Sequence, residues 1–187
     1  MRNPVPVFLC ALAIGWAGCA TPRSEFYTLH APAAAPGASA PRVAVGPVSI
    51  PSLVDRPQIV VRTGPNRVFI DEFHRWGSPL RDDIARVVAG NLASLLEASS
   101  GAYRVRIDVT AFDSVPGEAA VLEAAWTVRA EGSDGDRSRP SRSGRTAVRE
   151  PVKGEGYEAL AAAHSRALEV LSKEIAEAVR TLEGGGK

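Results

Sequence analysis

From Tyr103 to Ala111 every second residue is apolar, with Tyr103, Val105, Ile107, Val109 and Ala111 alternating with Arg104, Arg106, Asp108 and Thr110. A period of two sends successive side chains to opposite faces, so this segment predicts a strand with one dry face and one wet face. Something must cover the dry face, and two stretches have the matching helical period. The first places Leu80, Ile84, Val87, Val88, Leu92, Leu95 and Leu96 at steps of three and four. It opens at Ser78-Pro79, which reads as Ser at the N-cap and Pro at the first helical position, and it ends at Ser99-Ser100-Gly101. The second runs from about Glu155 to Leu182 and carries Tyr157, Leu160, Ala161, His164, Leu168, Leu171, Ile175, Val179 and Leu182 on one side.

Strands are predicted at Val43–Ile50 with a break at Gly46-Pro47, at Gln58–Arg62, at Arg67–Asp71, at Ala119–Glu131 and at Ser143–Arg149. Gly64-Pro65-Asn66 turns the second into the third, and Val115-Pro116-Gly117-Glu118 turns the Tyr103 strand into the next. The order is β-β-β-α-β-β-β-α. Strands dry on one face only, with two amphipathic helices to cover it, predict a two-layer α+β sandwich. Short hairpin connections predict an antiparallel sheet.

The N-terminus reads separately. Arg2 precedes an uncharged run from Val5 to Ala17, and the small pair Ala17-Gly18 stands before Cys19. This is the layout of a secretory signal peptide, and its core is shorter than the roughly 20 apolar residues of a transmembrane helix. Cleavage directly before Cys resembles the bacterial lipobox, in which the thiol receives a lipid; Trp16 stands where Leu is usual. The division expected is residues 1–18 signal peptide, 19–41 lipidated arm with an Ala/Pro-rich linker, 42–183 one domain and 184–187 a frayed tail. The linker, Ala31 to Pro41, reads as a stiff spacer able to hold the domain some tens of Å from the anchor, at ~3.1 Å per residue.

Arg2 is the only charge in the signal, so its removal cancels the formal +1 of the whole chain. Neutrality argues against nucleic-acid binding and against a polybasic membrane anchor, leaving lipid at Cys19 as the membrane attachment. Cys10 leaves with the signal, and an acylated Cys19 leaves no thiol for a disulfide, metal or nucleophile. His30, His74 and His164 have no metal-ligand spacing, and neither a nucleophile elbow nor a phosphate-binding loop is present. His164 falls on its helix's apolar stripe and reads as a packed histidine. Asp82-Asp83 reads as a pair favouring the helix dipole. Arg137, Arg139, Arg142 and Arg145 read as a solvated basic loop. The expected protein is non-catalytic, with no cofactor and no metal.

One region stands out. Asp55-Arg56-Pro57-Gln58 is followed, one hairpin later, by Glu72-Phe73-His74-Arg75-Trp76-Gly77-Ser78-Pro79-Leu80. On spacing alone, Trp76 is favoured as a plug at the end of the sandwich over an interface residue, although Trp and Arg are enriched in binding hot spots.

These residues carry a resemblance. Val45-Gly46-Pro47-Val48, Ile50-Pro51, the run Leu53 to Arg62 with its Asp-Arg-Pro-Gln-Ile core, Asn66, and Glu72 to Trp76 with Pro79-Leu80 resemble the ABC-type transport auxiliary lipoproteins, the PqiC-like family. Tyr27-Thr28-Leu29 also fits, and Gly77-Ser78 stands where the family often has Ala-Glu. The likeness in motifs covers roughly residues 19–100; beyond that only element order agrees. It implies a lipoprotein on the periplasmic face of the outer membrane, where Ala20 rather than Asp after the Cys permits export. It implies partners too, an MCE-domain protein and an inner-membrane transporter component, in phospholipid transport or membrane integrity. Phospholipid itself and a second copy of the chain are further candidate partners. Asp55, Arg56, Gln58, His74, Arg75 and Trp76 become the candidate partner contact, at strand ends outside both helical stripes. The alternative is a structural, pilot or assembly lipoprotein of another envelope machine.

Overall fold

A computed structural model of the chain describes residues 22–31, 42–96, 101–131 and 139–185. The signal peptide, Cys19, the body of the linker, Ser99-Ser100, Arg137 and the last two residues lie outside that set. Along the chain the elements are β1 (Glu25–Tyr27), β2 (Arg42–Ser49), β3 (Gln58–Gly64), β4 (Arg67–Trp76), α1 (Leu80–Leu95), β5 (Ala102–Val115), β6 (Ala119–Ala130), β7 (Ser141–Pro151) and α2 (Gly156–Gly184). The predicted order is present, with one short strand added in front.

The alternating segment is β5, with Tyr103, Val105, Ile107 and Val109 buried and Arg104, Arg106, Asp108 and Thr110 exposed. Both helices lie on its dry face. Leu80, Ile84, Val87, Val88 and Leu92 of α1 and Leu160, Leu168, Leu171, Ile175 and Val179 of α2 join the strand residues in one core. Between the helices, Asn91 Nδ2 donates to Ser172 Oγ at 3.1 Å, a polar clasp inside an otherwise apolar contact. On β6, Trp126 lies opposite Gly144 of β7. A Cβ at 144 would run into the indole ring, so the glycine is the seat of the tryptophan.

The sheet order is β1-β4-β3-β5-β6-β7, with β2 also paired to β5. Hairpin neighbours are antiparallel as expected, but the sheet is mixed: β1 with β4, β2 with β5 and β3 with β5 run parallel. Those three pairs join strands far apart in sequence, where connection length gives no hint of direction. β2 pairs with the first half of β5 and β3 meets it at Ser114, so the two lie end to end along one edge of β5. β2's register shifts between Val45 and Val48. There Gly46 has φ of 136° and Pro47 has no N–H for the ladder.

Three local expectations change. α1 begins at Leu80, with Pro79 at the cap and no side-chain capping bond. The Pro79 carbonyl accepts the Asp82 and Asp83 N–H groups at 2.9 and 3.1 Å, so Ser78 stands one residue too early to cap. β4 continues to Trp76 instead of ending at Asp71. Finally, the domain starts before Arg42. Tyr27 and Ala31 pack on the core and Leu29 is inside it. The Leu29 N–H donates to Asp83 Oδ2 at 3.2 Å, Arg86 Nη2 donates to the Leu29 carbonyl at 2.7 Å, and Ser165 Oγ accepts the His30 N–H at 3.0 Å. The Asp82-Asp83 pair therefore does more than face a helix dipole, because buried Asp83 ties the arm to α1 and is paired with Arg86 at 2.7 Å. Ala31 and Arg42, at the two ends of the Ala/Pro-rich segment, thus both lie on the same domain.

Candidate functional site

The Pro51–Pro57 loop is built by a tight turn. The Val54 and Asp55 N–H groups donate to the Pro51 carbonyl at 3.0 and 3.2 Å, and Val54 is buried beneath it. At its end the Pro57 carbonyl accepts the Trp76 N–H at 2.7 Å, which stitches the loop to the end of β4. The two sequence motifs therefore meet. Asp55, Arg56 and Pro57 on one side and Trp76 to Leu80 on the other line a cavity of about 350 Å³.

Each predicted contact residue has a distinct place. The Asp55 carboxylate is paired with Arg81 in the first turn of α1. Arg56 lines the cavity, and its Nε is buried with no hydrogen-bond partner. Trp76 is 6% exposed and packs edge-on to Phe112 and His164, with ring centroids 6.2 and 6.4 Å away. Its indole belongs mainly to the core and offers little surface. Gln58 and Arg75 are register neighbours that both reach Glu72: Gln58 Nε2 donates to Oε2 at 3.2 Å, and Arg75 Nε donates to the carbonyl at 2.9 Å.

His74 stands apart in an aromatic cluster. It stacks on Tyr157 at 4.1 Å, and its Nδ1 lies 2.9 Å from the Tyr27 hydroxyl. That hydroxyl donates to Glu25 Oε2 at 2.6 Å, so its single proton is committed and His74 Nδ1 carries the hydrogen between the two rings. Burial and the Glu25 hydrogen bond push the Tyr27 phenol up to about 12. Burial and Asp71 push Tyr157 up as well. At Asp71, burial raises the pKa, but hydrogen bonds from Tyr157 and from the Phe73 and His74 N–H groups outweigh it, and the carboxyl ends below its ordinary range. Both phenols therefore remain protonated donors, and the cluster pins β1 to β4 and α2.

A model of the family described as "ABC-type transport auxiliary lipoprotein component" matches residues 27–176. The chain belongs to this family. Its role is accordingly transport-associated and its setting the cell envelope, and an auxiliary component is consistent with a subunit that performs no chemistry. Two solved structures share the fold. A crystal structure titled only as an uncharacterized protein aligns with a TM-score of 0.64 at 18% identity, covering 83% of this chain and 98% of the other. A Xanthomonas campestris protein of the DUF330 family aligns at 0.56 and 21% identity, covering 86% and 96%. No curated protein matches. No helix among the described residues is long and apolar enough to cross a membrane.

One pairing in this auxiliary lipoprotein is invisible in sequence. Ser114 Oγ lies 2.8 Å from His164 Nε2, the spacing of a nucleophile and its base. Ser114 is 3% exposed and His164 0%, the imidazole is stacked on Phe112 at 3.8 Å, and Nδ1 has no partner to orient it. The pair is packing, as the apolar stripe of α2 implied for His164. Among the described residues no grouping of three or more His, Cys, Asp and Glu side chains could hold a metal. Of the four arginines near the β6–β7 loop, Arg142 and Arg145 lie exposed on β7.

Proposed function

We propose that the chain is a non-catalytic, lipid-anchored subunit on the periplasmic face of the outer membrane. It docks an MCE-domain protein, and with it an inner-membrane transporter component, in moving phospholipid between membranes. Family membership supports the transport role. The observation that carries the docking is the recess between Asp55–Pro57 and Trp76–Leu80, into which Arg56 brings a guanidinium with a buried, unpartnered Nε. The guanidinium that lines this recess would meet a carboxylate of the partner with a charge-assisted bond. Gln58 at the start of β3 and His74 and Arg75 near the end of β4 extend the contact, and Trp76 supports it from beneath.

Pull-down with the MCE-type partner is the test. Arg56→Ala and Arg75→Ala are expected to weaken binding at least ~10-fold, which corresponds to about 1.4 kcal/mol, while the melting temperature stays nearly unchanged. Trp76→Ala is expected to destabilise the fold itself by about 3–5 kcal/mol, as truncation of a buried aromatic does. Wild-type binding by both arginine variants would move the interface elsewhere. Genes for an MCE-domain protein and a permease beside this one are the expected neighbourhood; secretin or assembly genes would favour the structural-lipoprotein alternative.

Anchoring has its own test at Gly18-Cys19. Two or three acyl chains give stable attachment where one is marginal. Cys19→Ala is therefore expected to block processing or to release the protein from washed membranes. Normal maturation and continued pelleting with the outer membrane would refute the lipid anchor.

A further inference from the structure

The large apolar side chains exposed among the described residues are Phe26, Leu53, Phe69 and Phe73. Three of them stand on β1 and β4, at the edge of the sheet. Phe26 is 66% exposed and lies in register with Arg75; Phe73 is two residues earlier on β4, and Phe69 four earlier again. A group of exposed aromatic residues marks a surface that another phase or molecule covers.

The course of the chain says which. β1 runs parallel to β4 with Glu25 level with His74. Traced back toward Cys19, the backbone leaves Glu25 in the direction in which β4 runs back through Phe73 to Phe69. Glu25 is six residues on from Cys19, at most about 22 Å of fully extended chain. A domain of this size has a radius of gyration of about 15 Å. The tether cannot lengthen by peeling, because Tyr27 is held in the aromatic cluster and Leu29 is clamped between Asp83 and Arg86.

We propose that this edge, with Phe26, Phe73 and Phe69, rests on the leaflet that holds the Cys19 lipid, its phenyl rings entering the interfacial zone. The proposal rests on the lipid anchor described above. A protein partner or a second copy would have to be recruited to this edge, whereas the tether already delivers the leaflet to it. Tethering makes the contact intramolecular, so a patch too weak to hold a free domain on a membrane suffices. Arg23, exposed on the tether, supplies a cation for phosphate headgroups.

Tryptophan quenching tests this in the lipidated protein, reconstituted into phosphatidylethanolamine–phosphatidylglycerol vesicles whose lipids carry a doxyl label near the headgroup end of the acyl chain. Trp76 and Trp126 are 6% and 8% exposed and give a common background. Phe26→Trp and Phe73→Trp are expected to show a blue-shifted band quenched several-fold more than the added band of Arg145→Trp, on the strand at the other edge of the sheet. Quenching no stronger than at Arg145, in protein that floats with the vesicles, would overturn the membrane-facing edge and leave the anchor standing. Protein that does not float would overturn both. A blue shift that grows with protein concentration and is insensitive to the doxyl lipid would assign the edge to a second copy instead.

Discussion

Leu92→Asp is expected to leave no cooperatively folded domain. Leu92 is 0% exposed, on the face of α1 turned to the core. Removing its side chain by Leu92→Ala should cost about 2–5 kcal/mol. The aspartate adds the penalty of a buried, unpaired carboxylate, which a domain with only about 5–15 kcal/mol of stability cannot absorb. Near-ultraviolet circular dichroism and urea titration should show Leu92→Ala folded but weakened and Leu92→Asp without a native transition. A folded Leu92→Asp with a wild-type midpoint would mean that α1 does not lie against the sheet in this way.

The second large effect is one of pH. His164 is buried completely, and loss of solvent pushes its pKa down to about 3 from 6.5. Between those values the unfolded chain holds a proton on this imidazole that the folded chain does not. Stability therefore rises with pH across the window; the contribution is complete above about 6.5 and is lost as pH falls toward 3, with a slope of about 1.4 kcal/mol per pH unit. From about pH 6.5 to about pH 4.5 the loss is on the order of 3 kcal/mol. Asp71, whose carboxyl lies below its ordinary range, acts in the same direction only in more acid solution. His164→Gln keeps an amide within reach of Ser114 and cannot charge, so urea midpoints measured across that window should flatten whatever its absolute stability. An unchanged slope in His164→Gln would assign the acid sensitivity to other groups.

What could be read in the sequence follows from how each element earns its shape. β5 and both helices follow from side-chain period alone, because each buries a single face. β1 has three residues and no room for a period; it is a strand because β4, some fifty residues on, offers it an open edge. The last part of β4 was hidden because Asp71 turns its carboxylate onto the Phe73 and His74 N–H groups at 2.9 and 3.1 Å, where β3's register skips from Asp71 to Arg75. That local bonding breaks the alternation a strand shows in sequence. At the candidate site, Asp55, Arg56 and Trp76 do come together, but the plug reading of Trp76 describes its burial better than an exposed contact does. The place of His74 depends on Tyr27 and Tyr157, which spacing could not bring to it.

The segment from Ala31 to Arg42 has both ends on one domain, and that changes what its length means. For a chain that only has to close a gap, each doubling in length costs about 0.6 kcal/mol. Additions there leave the reach from Cys19 to Glu25 untouched, so this stretch is free to vary in length and composition among descendants of the chain. The few residues before Glu25 have no such freedom if the proposed anchor at Cys19 holds, since each insertion there adds about 3.6 Å to the greatest distance between anchor and domain.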